Sequence, residues 1–157
     1  MNSYTGVMST QERLWPQQPV EITPGAVHIP GWLSQDQQQH IVASARQWGR
    51  GPVPFHSPAV RNGAMSVQLL CLGWHWLPYR YTRTADNVNG ASVLDLPQWL
   101  LDLGQDAVRD AAQHLVDAQF GSEPFTPDTA LVNYYPHGAK MGMHQDREEQ
   151  STAPVVS

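Results

Sequence analysis

A single cysteine, Cys71, in 157 residues leaves no partner for an internal disulfide, which points to a reducing compartment and a cytoplasmic protein. No apolar run approaches the roughly 18 residues that a membrane span needs, so no membrane partner is expected. The first residues carry no apolar stretch flanked by basic residues, and a signal peptide is not expected either. Internal repeats and low-complexity tracts are also missing. The most informative absence is local: between Asp36 and Asp86 there is no acidic residue, yet the interval holds Arg46, Arg50, Arg61, Arg80 and Arg83, five of the nine basic residues. A net charge of −5 argues against a nucleic-acid partner if it is spread evenly. Segregated in this way it is compatible with local phosphate binding, because salt limits the reach of distant charges to about 10 Å.

What is present suffices for a core: 41% of the residues are hydrophobic and six are tryptophan. The length suits one domain, and a monomer is expected. Residues 1–24 read as a mobile lead-in and 25–157 as the folded domain. Ala26–Pro30 reads as a short strand. Ser34 and Gln37 form a capping-box pattern, predicting a helix to about Trp48 that buries Ile41, Val42, Ala45 and Trp48 and stops at Gly49. Three prolines make 51–58 extended loop. Ala64–Leu70 alternates like a half-buried strand, and the ring-rich stretch from Gly73 to Arg83 reads as a loop or hairpin lying over something. Asp86–Gly90 is a turn. Pro97 then opens an amphipathic helix, with Leu100, Leu103, Ala107, Ala111, Leu115 and Ala118 on one face, ending near Gly121. The class implied is α+β, two helices backing an antiparallel sheet.

Leu131–Asp146 is the stretch that carries chemistry. It reads as two short strands joined by the turn Pro136-His137-Gly138. Side chains two apart on a strand leave the same face, with α-carbons about 6.6–6.8 Å apart. Asn133 and Tyr135 therefore share a side of the first strand, and His144 and Asp146 a side of the second. An imidazole and a carboxylate so placed are two-thirds of the facial triad of non-haem Fe(II) oxygenases. The same pair also reads as a surface His–Asp hydrogen bond.

The sequence Asn133-Tyr134-Tyr135-Pro136-His137-Gly138-Ala139-Lys140-Met141-Gly142-Met143-His144-Gln145-Asp146 resembles the AlkB family of Fe(II)/2-oxoglutarate-dependent dioxygenases, which repair alkylated DNA and RNA. Upstream, Met65-Ser66-Val67, Leu72-Gly73-Trp74 and Tyr79-Arg80-Tyr81 look like that family's nucleotide-recognition lid. Ala153–Ser157 is similar to the segment following its metal strand. The resemblance runs from about Gly25 to Ser157. It implies an incomplete double-stranded β-helix (jelly-roll, cupin-like) core backed by two helices, with the lid on its N-terminal side. By the resemblance, His144 and Asp146 are the catalytic iron ligands, and Asn133 and Tyr135 bind 2-oxoglutarate. Trp74 stacks a flipped-out base against the His144 ring, Glu148 lies near the base's exocyclic amine, Tyr79 contacts the backbone phosphate, and Met65 and Ser66 complete the substrate side. The implied reaction is oxidative demethylation of N-alkylated bases in single- or double-stranded DNA, with RNA as the alternative. Its cofactor is Fe(II), with 2-oxoglutarate and O2 as cosubstrates, and it yields formaldehyde, succinate and CO2. The family places a distal His and a 2-oxoglutarate-clamping Arg beyond the position of Ser157, so the sequence reads as C-terminally incomplete. The rival readings are an inactive nucleic-acid-binding module and a 2-oxoglutarate dioxygenase acting on protein or lipid.

The remaining histidines, His28, His40, His56, His75, His114 and His137, read as structural or exposed. Cys71 reads as a small buried hydrophobe, and Trp76 as packing beneath the loop.

Overall fold

The structure, a computed structural model, describes residues 18–60, 63–78, 80–117, 124–142 and 151–157. Its core is built on one strand, β5 (Gln68–Leu72), numbered in chain order after β1 (Val20–Thr23), β2 (Ala26–His28), β3 (Ala59–Val60) and β4 (Gly63–Ala64). Leu69, Leu70, Cys71 and Leu72 are each at most 4% exposed. Consecutive residues of a strand point to opposite faces, so this unbroken run is covered on both. The half-buried strand expected over Ala64–Leu70 is therefore replaced by two elements. Gly63–Ala64 pairs with Ala59–Val60 in its own hairpin, and the chain then breaks before β5 begins.

The partner of β5 is β8 (Ala130–Tyr134), antiparallel, with Gln68 opposite Tyr134, Leu70 opposite Val132 and Leu72 opposite Ala130. Elsewhere along β5, Leu69 forms an antiparallel bridge with His56 and Leu72 a parallel one with Leu94. Between β5 and β8 come the hairpin β6 (His75–Leu77) and β7 (Arg80–Thr82), then helix α2 (Gln98–Ala112). The described strands form four two-stranded sheets, joined to two helices.

Helix α1 (Gln35–Trp48) starts as expected. The Ser34 hydroxyl accepts from the Gln37 N–H, the Gln37 side chain accepts from the Ser34 N–H, and Gly49 is the C-cap. Its inward stripe is Ile41, Ser44, Ala45 and Trp48, at the i, i+3, i+4, i+7 spacing of one helical face. Val42 lies outside that stripe and is 48% exposed, contrary to the expected core role. Helix α2 is shorter than expected and ends nine residues before Gly121. A tight turn from the His114 N–H to the Ala111 carbonyl closes it, and the Val116 N–H goes to the Glu21 carboxylate at 2.7 Å. That bond reaches β1, which lies inside the stretch read as lead-in, so 20–23 is an ordered strand. Leu115 falls past the helix end, and Ala118 is outside the described residues. The two helices meet through Trp48 stacked on Trp99 (5.9 Å) and His40 edge-on to Trp99 (4.5 Å).

Candidate active site

Strand β8 leads into the stretch expected to bind the cosubstrate. Its register places Asn133 opposite the buried Leu69, while Tyr134 leans its ring towards Phe55 at 5.9 Å. Asn133 and Tyr135, on the other side of the alternation, are both exposed, with an amide and a phenol available to a polar ligand. The chain then reverses at the predicted turn. Gly138 has φ +81°, a left-handed conformation that glycine adopts without penalty, and the Ala139 N–H closes on the Pro136 carbonyl at 2.9 Å. After the turn, the Lys140 backbone lies beside Ser66 (3.0 and 3.1 Å) and the Tyr135 hydroxyl meets the Met141 sulfur at 3.8 Å. The expected metal strand, with His144, Asp146 and the neighbouring Glu148, lies outside the described residues. Among the described residues, no group of three or more His, Cys, Asp or Glu side chains is arranged to hold a metal ion.

The β6–β7 hairpin occupies the ring-rich stretch where a loop or hairpin was expected. Trp74 precedes it, half-buried, and the Arg83 guanidinium sits 3.8 Å from the centre of its ring. Arg83 also donates to the Gly73 carbonyl at 2.6 Å. The hairpin register explains this pairing: Leu77 faces Arg80 and His75 faces Thr82, so the next pair outward is Trp74 with Arg83. The Thr129 hydroxyl reaches the carbonyls of Leu72 and Trp74 (3.1 and 3.3 Å), tying the entry of the β6–β7 hairpin to the approach of β8. Met65 is half-buried and its N–H donates to the Pro58 carbonyl; Ser66 is exposed. Tyr79 is outside the described residues.

Sequence reasoning missed two features. Arg83 over Trp74 becomes visible only once the hairpin register is known. The other is a histidine pair: His56 and His75 have ring centres 5.3 Å apart. His75 Nε2 faces the Asn87 carbonyl oxygen at 2.7 Å and His56 Nδ1 faces the Pro54 carbonyl at 3.2 Å. Both partners only accept, so both nitrogens carry protons. His75 Nδ1 and His56 Nε2 are then buried lone pairs without a donor. Burial, above all, holds the His75 imidazole below its usual pKa. The neighbouring His56 acts the same way, against the Asn87 hydrogen bond and the charge of Asp86. Burial likewise pushes the Cys71 thiol up, only partly offset by the Trp76 N–H donating to its sulfur. That is the inert, packed cysteine the sequence suggested.

A cleft of about 470 Å3 opens between the helices, lined by Asp36, His40, Ile41, Trp99, Asp102 and Asp106. It contains none of the predicted site residues, and its carboxylates repel a keto-acid or a phosphate.

A sequence profile described as the 2OG-Fe(II) oxygenase superfamily matches residues 25–157. The chain belongs to this superfamily. The oxygenase is 30% identical over 149 residues to the DNA N(6)-methyladenine demethylase ALKBH1D of Arabidopsis thaliana, covering 87% of this chain and 33% of that protein. It is 32% identical over 146 residues to an Alpha-ketoglutarate-dependent dioxygenase AlkB homolog of Caulobacter vibrioides, covering 88% of this chain and 60% of the relative. The solved structure of OsALKBH1 superimposes on the oxygenase with a TM-score of 0.72 at 31% identity, over 83% of this chain and 61% of that one. The oxygenase thus spans between a third and about three-fifths of the length of these relatives.

Proposed function

We propose that this oxygenase removes N-methyl groups oxidatively from bases in DNA, on a double-stranded β-helix with the β6–β7 hairpin as its nucleotide lid. The observation that carries the reading is its likeness, over 87% of the chain, to a relative named as a DNA N(6)-methyladenine demethylase. An imidazole and a carboxylate, from His144 and Asp146, suit ferrous iron as donors. When bound, iron with O2 and 2-oxoglutarate supplies the oxidising power for hydroxylating an N-methyl group, which leaves as formaldehyde.

The chain's own residues do the rest. The Asn133 amide and Tyr135 phenol, side by side at the end of β8, receive the carboxylates of 2-oxoglutarate. Arg83 already covers one face of Trp74, so an extruded base stacks on the other. Extrusion costs a few kcal/mol and stacking returns about 1–3 kcal/mol per base. Met65 and Glu148 frame the base, and Tyr79 meets the backbone phosphate.

The test is formaldehyde release from an oligonucleotide containing N6-methyladenine, with Fe(II), with and without 2-oxoglutarate. Release that requires 2-oxoglutarate and disappears in His144→Ala is expected. Consumption of 2-oxoglutarate with the methylated base untouched would instead move the substrate to protein or lipid. Oligonucleotide binding without turnover would make the chain a binding module.

A further inference from the structure

Ser66 lies where the β5–β8 ladder stops. The last paired residues are Gln68 and Tyr134, after which the chain turns through Pro136–Ala139 and returns. Val67 is fully buried and Ser66 beside it is exposed. The Ser66 hydroxyl donates to the Lys140 carbonyl at 3.0 Å and accepts from the Lys140 N–H at 3.1 Å. A hydroxyl can donate and accept at once, so one side chain satisfies both backbone groups of a residue 74 positions away, as a strand partner would. The next residue, Met141, takes the Tyr135 hydroxyl on its sulfur at 3.8 Å. Contacts therefore run unbroken from Ser66 through Lys140 and Met141 to Tyr135.

We propose that Ser66 is a positioning residue for the 2-oxoglutarate pocket: by clamping Lys140 it holds Met141 against the Tyr135 phenol and fixes where that phenol points. This rests on Tyr135 binding the cosubstrate. A sulfur is a weak acceptor, so the phenol is oriented by Met141 yet is released readily to a carboxylate, which binds it more strongly.

The experiment compares Ser66→Ala, Ser66→Thr and Tyr135→Phe in the full-length protein. It measures 2-oxoglutarate binding calorimetrically with Mn(II) in place of iron, KM for the methylated oligonucleotide, and hydrogen exchange at the Lys140 amide. Ser66→Ala is expected to weaken 2-oxoglutarate binding roughly three- to tenfold, the worth of one hydrogen bond. It should also speed Lys140 exchange and leave the oligonucleotide KM within about twofold, while Ser66→Thr, which keeps the hydroxyl, restores both. A raised oligonucleotide KM with unchanged 2-oxoglutarate binding in Ser66→Ala overturns the proposal and makes Ser66 a nucleotide contact. If Tyr135→Phe itself leaves 2-oxoglutarate binding unchanged, the assignment of Tyr135 fails and the proposal with it. If Tyr135→Phe weakens binding and Ser66→Ala does not, only the Ser66 proposal falls.

Discussion

His75, the first residue of β6, has no exposed surface. A buried imidazole is stable there only while neutral, because its Nδ1 has no acceptor for a second proton and His56 would repel the charge. Its folded pKa is lowered from the usual 6.5. The unfolded chain therefore binds the proton first as pH falls, and the stabilisation from neutral His75 is complete above pH 6.5. It is lost progressively as pH drops from there towards the folded value. Urea midpoints should fall between pH 7.5 and 5.5. His75→Gln should lower the midpoint at pH 7.5 but flatten that fall. An equally steep fall in His75→Gln would place the titrating group elsewhere.

The β6–β7 hairpin depends on its entry. Gly73 has φ +75°, and a Cβ there would stand 2.0 Å from the Asp128 carbonyl oxygen. Its N–H is held by Leu94 at 2.7 Å and its carbonyl by Arg83 at 2.6 Å. Gly73→Ala combines a left-handed backbone with a clash against main chain, and should cost at least about 2 kcal/mol. Chemical denaturation would measure this, and a loss within error would mean that the approach of β8 to Gly73 is loose. At this scale the sequence was legible wherever local chemistry decides the outcome. Ser34 and Gln37 start α1, Gly49 ends it, Pro78 sits in the hairpin turn and Gly138 in the turn after β8. Where a distant partner decides, it was not legible. The path after α2 meets Glu21 through the Val116 N–H, β1 needs its pairing with β2, and the exposure of Val42 depends on which stripe of α1 faces Trp99. The candidate site divides in the same way: spacing puts Asn133 and Tyr135 on one side and the family resemblance points to Trp74, whereas Arg83 and the clamp from Ser66 to Lys140 need the register of two strand pairs.

Across the whole molecule, net charge and charge placement make opposite predictions for DNA. A uniform charge of −5 would repel a phosphate backbone. Yet Arg46, Arg50, Arg80 and Arg83 are all exposed, and they come from a stretch with no carboxylate. The acids that are seen paired, Asp106 and Asp110, serve Arg109 on α2 instead. If four arginines each neutralise one phosphate, affinity for duplex DNA falls with a log–log salt slope near −0.9 per contact, about a hundredfold between 50 and 200 mM salt. Arg80→Ala should then shallow the slope by about 0.9 and weaken binding alike for methylated and unmethylated oligonucleotides. Arg83→Ala should do the same and, by uncovering Trp74, also change the preference for the methylated base. Salt-independent binding, or a slope unchanged in Arg80→Ala, would mean that the acidic remainder of the molecule dominates its field and that these arginines do not meet the phosphates.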